Sequence, residues 1–344
     1  MGSLFDWPRA WGEPPIRGVL RKTSADFFVE EQLGFEPDGK GEHCWLWIEK
    51  ENLNTADAAQ RLARFAGLRE RDISYSGLKD KRAIARQWFC LHLLNREVDW
   101  QQWNDPSLRI LRIERHSKKL RRGTHRSNYF EITLRDVQGD LNELNSRIEL
   151  IRASGVPNYF GEQRFGREGR TFELARRAAE QKSRLSRQQA SLYFSALRSY
   201  VFNEVLGYRI ARRAWDTPLA GEVFMLNRSN SVFREALNAA LLARFSSGDI
   251  HLSAPLPGRE SGAMPVDDVL ALEQQVLRDH EVLVNYLAAA NVESARRSLR
   301  LLPENLRAEA IANDAWRFSF TLSRGCFATS LMRELVDYSL PEAE

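Results

Sequence analysis

Gly77-Leu78-Lys79-Asp80-Lys81-Arg82-Ala83, with Asp72-Ile73-Ser74-Tyr75-Ser76 before it and Gln87-Trp88-Phe89-Cys90-Leu91 after it, is the stretch from which the fold of this chain is read. Its flanks alternate in the manner of strands, and Gly77 permits a sharp turn between them. The stretch therefore reads as strand, short loop, strand, with Asp80 on the loop. Lys79, Lys81 and Arg82 favour the ionised form of that carboxylate and attract a polyanion toward it. Taken alone, such a loop is more often a solvated turn, so the remainder of the chain has to decide.

Outward from the loop, runs rich in β-branched and aromatic residues predict strands at about 17–31, 43–49, 86–94, 108–115, 129–136 and 315–322, besides 72–78 itself. Helices are expected at about 54–67 and 139–154. The pattern is α+β with a mixed, mainly antiparallel sheet. From about 170 to 213 the apolar residues recur at helical spacing, in Thr171 to Gln181 and Arg187 to Gly207. Gly221 to Leu226, a Ser-Asn linker near 229–231, the loop Ala254-Pro255-Leu256-Pro257-Gly258 and a helix over about 265–289 follow. The middle third thus reads as a separate module.

A chain of 344 residues with 43% hydrophobic and 10% aromatic content is long enough for two well-packed domains. No apolar run approaches the roughly 18 residues of a membrane span. The opening Met1-Gly2-Ser3-Leu4-Phe5-Asp6-Trp7-Pro8 lacks the charged-then-apolar pattern of a signal. A cytoplasmic monomer is the expectation. Cys44, Cys90 and Cys326 are too few and too scattered for a disulfide framework or a C-x-x-C site. His43, His92, His116, His125, His251 and His280 form no local pair at ligand spacing, so no metal is expected. No G-x-G-x-x-G occurs, and Gly161-x4-Gly166 lacks the ending of a phosphate-binding loop, which leaves ATP and NAD without support.

Charge is uneven. Between Arg109 and Arg126 eight cations stand against the single acid Glu114, a local +7 in a chain whose net charge is +4. The run ends in Lys118-Lys119-Leu120-Arg121-Arg122-Gly123-Thr124-His125-Arg126, which reads as a phosphate-binding loop. Gln163, Arg164 and Phe165 add a second cluster, continued by Arg167 and Arg170, in which cations and an aromatic alternate. Cations for phosphates and flat faces for bases are what a single-stranded or everted nucleotide requires. RNA is the expected partner, with Lys79 and Lys81 contributing beside Asp80.

Four segments, in order along the chain, match one known pattern. They are Gly18-Val19-Leu20-Arg21-Lys22 with Asp26 to Glu31 and Gly34 to His43; Gly77 to Ala83; Gly155-Val156-Pro157-Asn158-Tyr159-Phe160-Gly161-Glu162-Gln163-Arg164-Phe165-Gly166; and Arg324-Gly325-Cys326-Phe327-Ala328-Thr329-Ser330 leading into Arg333-Glu334-Leu335. In these the chain resembles the TruD family of tRNA pseudouridine synthases. The resemblance implies a discontinuous catalytic domain, residues 1–155 and 302–344, and an inserted α/β domain of the TRUD type, residues 156–301. It implies isomerisation of uridine 13 in the D-arm of tRNA, with Gly77 to Lys81 as the G-x-K-D-K loop and Asp80 as the catalytic carboxylate. By the same resemblance Arg21 is the cation beside Asp80, Asn128 holds the Asp80 loop by hydrogen bonds, and Phe130 and Phe327 are aromatic walls of the uracil pocket.

Pseudouridine formation breaks the N1–C1′ bond of a uridine, turns the detached uracil and joins its C5 to C1′. It needs one carboxylate at the ribose and no cofactor. Attack at C1′ and removal of the 2′ proton are both open to Asp80. Two other readings stand beside this one. A nonenzymatic RNA-binding or chaperone protein needs only the basic loops and aromatics, and a hydrolase that releases free base needs a second carboxylate, which is not evident beside Asp80.

Overall fold

The structure is a computed structural model, and it describes residues 6–93 and 96–341. Residues 1–5, read above for a targeting pattern, and Leu94, expected at a strand end, lie outside the described residues. By its contacts the chain forms two compact units. One comprises Pro15–Ile148, Pro303–Gly325 and Val336–Glu344; the other comprises Met1–Pro14, Glu149–Leu302 and Cys326–Leu335. The described residues 6–14 and Cys326–Leu335 therefore pack with the middle third of the chain, whereas the sequence reading grouped them with Asp80.

The unit that carries Asp80 is built on a ten-stranded sheet. Its strands begin with β1 (Ile16–Leu20), β2 (Phe27–Gln32) and β3 (His43–Glu51), and α1 (Thr55–Phe65) follows. Next come β4 (Ile73–Tyr75), β5 (Ile84–His92), β6 (Leu108–His116), β7 (Ser127–Gly139) and α2 (Leu141–Ser154), of which residues up to Ile148 belong to this unit. In the other unit lie β8 (Val156–Pro157), α3 (Arg170–Glu180), α4 (Arg187–Ala211), β9 (Val223–Leu226), β10 (Val232–Arg234), α5 (Ala239–Ser246) and β11 (Ile250–Leu256). It continues with α6 (Asp267–Asp279), α7 (Glu281–Ala289), β12 (Ala295–Ser298) and β13 (Arg300–Leu301). The chain closes with β14 (Glu304–Ala312), β15 (Ala315–Ser323), α8 (Ala328–Leu335) and β16 (Val336–Ser339).

The large sheet runs β14-β15-β7-β2-β5-β3-β6, with β1 on β7 and β16, and β4 on β5. Pairing is antiparallel except β2 with β5 and β1 with β16. On β3 the residues Cys44, Leu46 and Ile48, two apart and therefore on one face, are buried under Ala58, Leu62 and Ala63 of α1. The expected strand 17–31 is broken. Arg21 takes φ 57°, and the Asp26 carboxylate accepts the Thr23 amide at 2.7 Å, forming a local turn that competes with strand. That bend ends β1 at Leu20 and leaves Arg21 just beyond it. The expected helix 265–289 divides into α6 and α7 at His280, which leaves the helical region with φ −117° and ψ 23°. β11 takes in Ala254 to Leu256, which the sequence had suggested as loop.

The second unit packs around α4, whose Val201, Phe202, Val205 and Leu206 are buried against a four-stranded sheet, β10-β9-β11-β12, and helices α3, α6 and α7. Ser186 caps α4, accepting the Gln189 amide, while the Gln189 side chain accepts the Ser186 amide. Inside this core Arg209 and Glu222 form a fully buried ion pair. Arg209 also donates to the Ala214 carbonyl at 2.7 Å, and Glu222 accepts the Leu219 amide. Removing one member leaves the other charge stranded in the core. Glu222→Ala is expected to lower unfolding free energy by about 3–5 kcal/mol in urea titration; a loss under about 1 kcal/mol contradicts this description of the core.

Candidate active site

Asp80 lies on the loop from Ser76 to Ala83 between β4 and β5, the strand-loop-strand arrangement expected from the alternation. The loop is irregular, so its backbone groups need partners outside any ladder. They have them. The Ser76 carbonyl accepts the Gly123 amide at 2.8 Å, and the Gly77 carbonyl accepts Gln87 Nε2 at 3.1 Å. Thr55 Oγ1 accepts the Lys79 amide at 2.9 Å and donates to Gln87 Oε1 at 3.0 Å. The Asp80 carbonyl accepts Lys50 Nζ at 2.7 Å, and the Ala83 carbonyl accepts the Asn52 amide at 3.3 Å. Lys50 and Gln87 are fully buried, and Thr55 nearly so. None of Lys50, Thr55 and Gln87 stood out in the sequence; the detectable signal is a polar residue on a strand or helix face that is otherwise apolar.

The Asp80 side chain points away from this scaffold. Its Oδ2 accepts Arg21 Nη2 at 2.5 Å, with the Asp80 side chain 38% exposed and the Arg21 side chain 17%. Arg21 in turn lies 3.9 Å over the Phe27 ring, and Phe27 meets Phe130 edge to face at 6.1 Å. Phe130 sits on β7 between Val29 of β2 and Phe320 of β15, stacked on the latter at 5.4 Å, and is buried. Asp80, Arg21, Phe27 and Phe130 therefore form one continuous row of contacts.

Two expectations about this neighbourhood need correction. Among the described residues Asn128 makes none of the loop's hydrogen bonds and its buried Oδ1 has no partner; the holding is done by Lys50, Thr55, Gln87 and Asn52. Lys79 is not a surface cation. Its Nζ is 3.1 Å from Glu31 Oε2, and the two side chains are 5% and 0% exposed. Burial pushes the Glu31 carboxyl up, and the Lys79 ammonium opposes that shift. Glu31 Oε1 also accepts the Trp88 amide. Lys81 and Arg82 are exposed at the loop's outer edge.

The basic loop is attached to the Asp80 loop at Ser76. Besides the Gly123 bond, Ser76 Oγ accepts the His125 amide at 2.8 Å and lies 2.6 Å from His125 Nδ1. Burial, with Lys79 and Arg324 adding to it, pushes His125 down to about 4, so the ring is neutral at pH 7. Leu120 is fully buried and Trp45 Nε1 donates to the Lys118 carbonyl, which anchors the run. Lys118, Lys119, Arg121 and Arg122 are exposed, and among the described residues none has a carboxylate partner.

The second cluster lies in the other unit. Gln163 is exposed, and Arg164 Nη1 donates to Ser195 Oγ at 2.9 Å while its guanidinium stands 5.3 Å from the Phe160 ring and 5.8 Å from Phe327. Burial pushes Arg164 down, and Arg297, over Phe160 at 4.1 Å, is pushed down to about 10 by the same cause. Phe165 is corrected: it is fully buried against Trp7 and Phe172 and offers no face to a base. The cysteines are free. The histidines are less scattered than their spacing suggests, because His92, His43 and His116 are cross-strand partners on β5, β3 and β6. Glu42, His43 and His92 bring ligand-type atoms within 4.8 Å of one another. Among the described residues no helix is long and apolar enough to cross a membrane.

Comparison with known proteins gives this geometry a family. A sequence model described as tRNA pseudouridine synthase D (TruD) matches residues 8–184 and 173–335. A protein of that name from Stutzerimonas stutzeri (strain A1501) is 44% identical over 331 residues, covering 96% of this chain and 95% of the relative. Another, from Methylococcus capsulatus (strain ATCC 33009 / NCIMB 11132 / Bath), is 40% identical over 336 residues, covering 97% and 95%. The fold is shared with a crystal structure from Methanosarcina mazei described as a candidate tRNA pseudouridine synthase D, at TM-score 0.72 and 19% identity over 96% of each chain. With its large sheet, its loop between β4 and β5 and this extent of match, the chain belongs to the TruD family of tRNA pseudouridine synthases.

Proposed function

We propose that this protein converts uridine 13 in the D-arm of tRNA to pseudouridine, with Asp80 as the carboxylate that acts on the ribose. The observation that carries the reading is the Arg21–Asp80 pair: a carboxylate still open to solvent, oriented by a guanidinium, on a loop whose backbone is tied down by buried groups. A reacting carboxylate has to be reachable and held in one place, and this one is both. Either Asp80 attacks C1′ as the N1–C1′ bond breaks, giving an ester, or it takes the 2′ proton as uracil departs, giving a glycal. The uracil then turns in place and its C5 bonds to C1′, displacing the Asp80 ester in the first route or adding to the glycal as the proton returns to C2′ in the second, and the proton that C5 loses is balanced by the one that N1 gains. Arg21 holds the carboxylate's Oδ2 and leaves the other oxygen free for the sugar. The chemistry needs no redox change and no energy input, which supports a reaction without cofactor.

Lys118, Lys119, Arg121 and Arg122 are read as the phosphate contacts that bring tRNA to this loop, with Lys81 beside them. Lys79 is withdrawn from that set, since its charge is engaged by Glu31. The family's relatives are named for tRNA, and an everted nucleotide is what a carboxylate on a surface loop can reach. Cytoplasmic location follows from that substrate and stays part of the proposal.

Unmodified transcribed tRNA incubated with the purified chain and a chelator should gain one pseudouridine, mapped chemically to position 13. Asp80→Asn should bind the same tRNA and turn over about 10³-fold more slowly or not at all. Free uracil as product would instead indicate a hydrolase, and an Asp80→Asn protein that keeps its full effect on RNA would indicate a chaperone. Binding should also weaken steeply with salt. Replacing Lys119 and Arg121 together by Gln should reduce the slope of log affinity against log salt by about 1.5–2. An unaltered slope puts the basic loop off the RNA path.

A further inference from the structure

Lys50 is a charged residue in the buried row of β3. Cys44, Leu46 and Ile48 form the buried row of that strand, and position 50 continues the row with an ammonium. The residue is fully buried. Taking an ammonium out of water is costly, and a leucine or methionine would fill the same place without that penalty. What the ammonium supplies instead is a pair of charge-assisted hydrogen bonds, both at 2.7 Å and both to backbone carbonyls. One acceptor is Leu53, in the turn that leads into α1; the other is Asp80 itself.

We propose that Lys50 is a positioning residue for the reaction: by holding the Asp80 carbonyl it sets where the Asp80 carboxylate stands, and it does not touch the substrate. The inference rests on the reading of Asp80 as the reacting carboxylate. The other ties reach the loop backbone at Gly77, Lys79 and Ala83; Lys50 holds the backbone of the reacting residue itself. A shift of the order of an ångström at a reacting group costs about 100-fold in rate.

The charge on Lys50 makes this role separable from plain packing. Burial lowers its pKa from 10.5 to about 8; the negative charge of Asp80 opposes the shift, and the Lys79 ammonium adds to it. On the strands either side its partners are the uncharged Ala85 and Leu108, and Thr55 and Gln87 nearby are neutral. As pH rises through about 8 the ammonium is lost, the grip on the carbonyl weakens, and the rate should fall. Stability moves the other way. Between about 8 and 10.5 the unfolded chain holds this proton more firmly than the folded one, so the contribution of Lys50 to folding improves with pH across that window. A lysine with a merely structural role would move stability alone.

The test is single-turnover conversion of transcribed tRNA by saturating full-length enzyme, wild type against Lys50→Met, from pH 6.5 to 9.5. Expected are a rate about 100-fold lower in Lys50→Met at pH 7, tRNA affinity within about twofold of wild type, and a descending limb near pH 8 in wild type that Lys50→Met lacks. A folded Lys50→Met protein that turns over within about twofold of wild type overturns the proposal. Where Lys50→Met does not fold, the wild-type profile decides, and a rate that stays level to pH 9.5 overturns it. Failure of the underlying reading looks different: wild type then forms no pseudouridine at pH 7, or Asp80→Asn does, and the role assigned to Lys50 falls with it.

Discussion

An irregular loop that carries a reactive group has to satisfy its backbone without a ladder, and it has to do so without covering the group. Here the solution is a set of buried polar side chains, Lys50, Thr55 and Gln87, that reach the loop from beneath through the Asp80 and Gly77 carbonyls and the Lys79 amide. Everything else at the site depends on that constraint. With the backbone held from the core side, the Asp80 carboxylate faces outward to Arg21, and Arg21 can be placed there because the Thr23–Asp26 turn ends β1 where it does.

The cations around Asp80 divide by environment into two kinds. Lys50 and Lys79 are buried and engaged, one with carbonyls and one with Glu31, and they stabilise the loop. Lys81, Lys118, Lys119, Arg121 and Arg122 are exposed and, among the described residues, have no carboxylate partner, so they are available to phosphates. His125 links the two sets. Neutral and hydrogen-bonded to Ser76, it ties the basic loop to the Asp80 loop without adding a charge between them.

Local pattern made much of this legible. The Gly77 turn between two alternating segments located the loop, the concentration of charge after Arg109 located the exposed cations, and the motif resemblance paired Arg21 with Asp80. What escaped depends on contacts distant in sequence. Glu31 lies 48 residues from Lys79, and Thr55 lies 24 residues from it, so no spacing rule connects them. Lys50 lies just past the strand expected at 43–49, and alternation gives a residue's face but not whether that face is covered. β14 was missed for a related reason: it is an edge strand with mostly exposed residues, and it shows no buried alternation. Phe165 was misread in the opposite sense, since an aromatic between glutamine, arginine and glycine looked like surface and is core.

The central claim is that the Asp80 carboxylate meets the sugar of an everted uridine. The most direct measurement is a crystal structure of Asp80→Asn bound to unmodified tRNA. The account predicts a flipped nucleotide with its C1′ or 2′ carbon about 3–3.5 Å from the residue 80 side chain, beside Arg21. A bound tRNA whose extruded nucleotide lies elsewhere, with residue 80 turned to solvent, contradicts it.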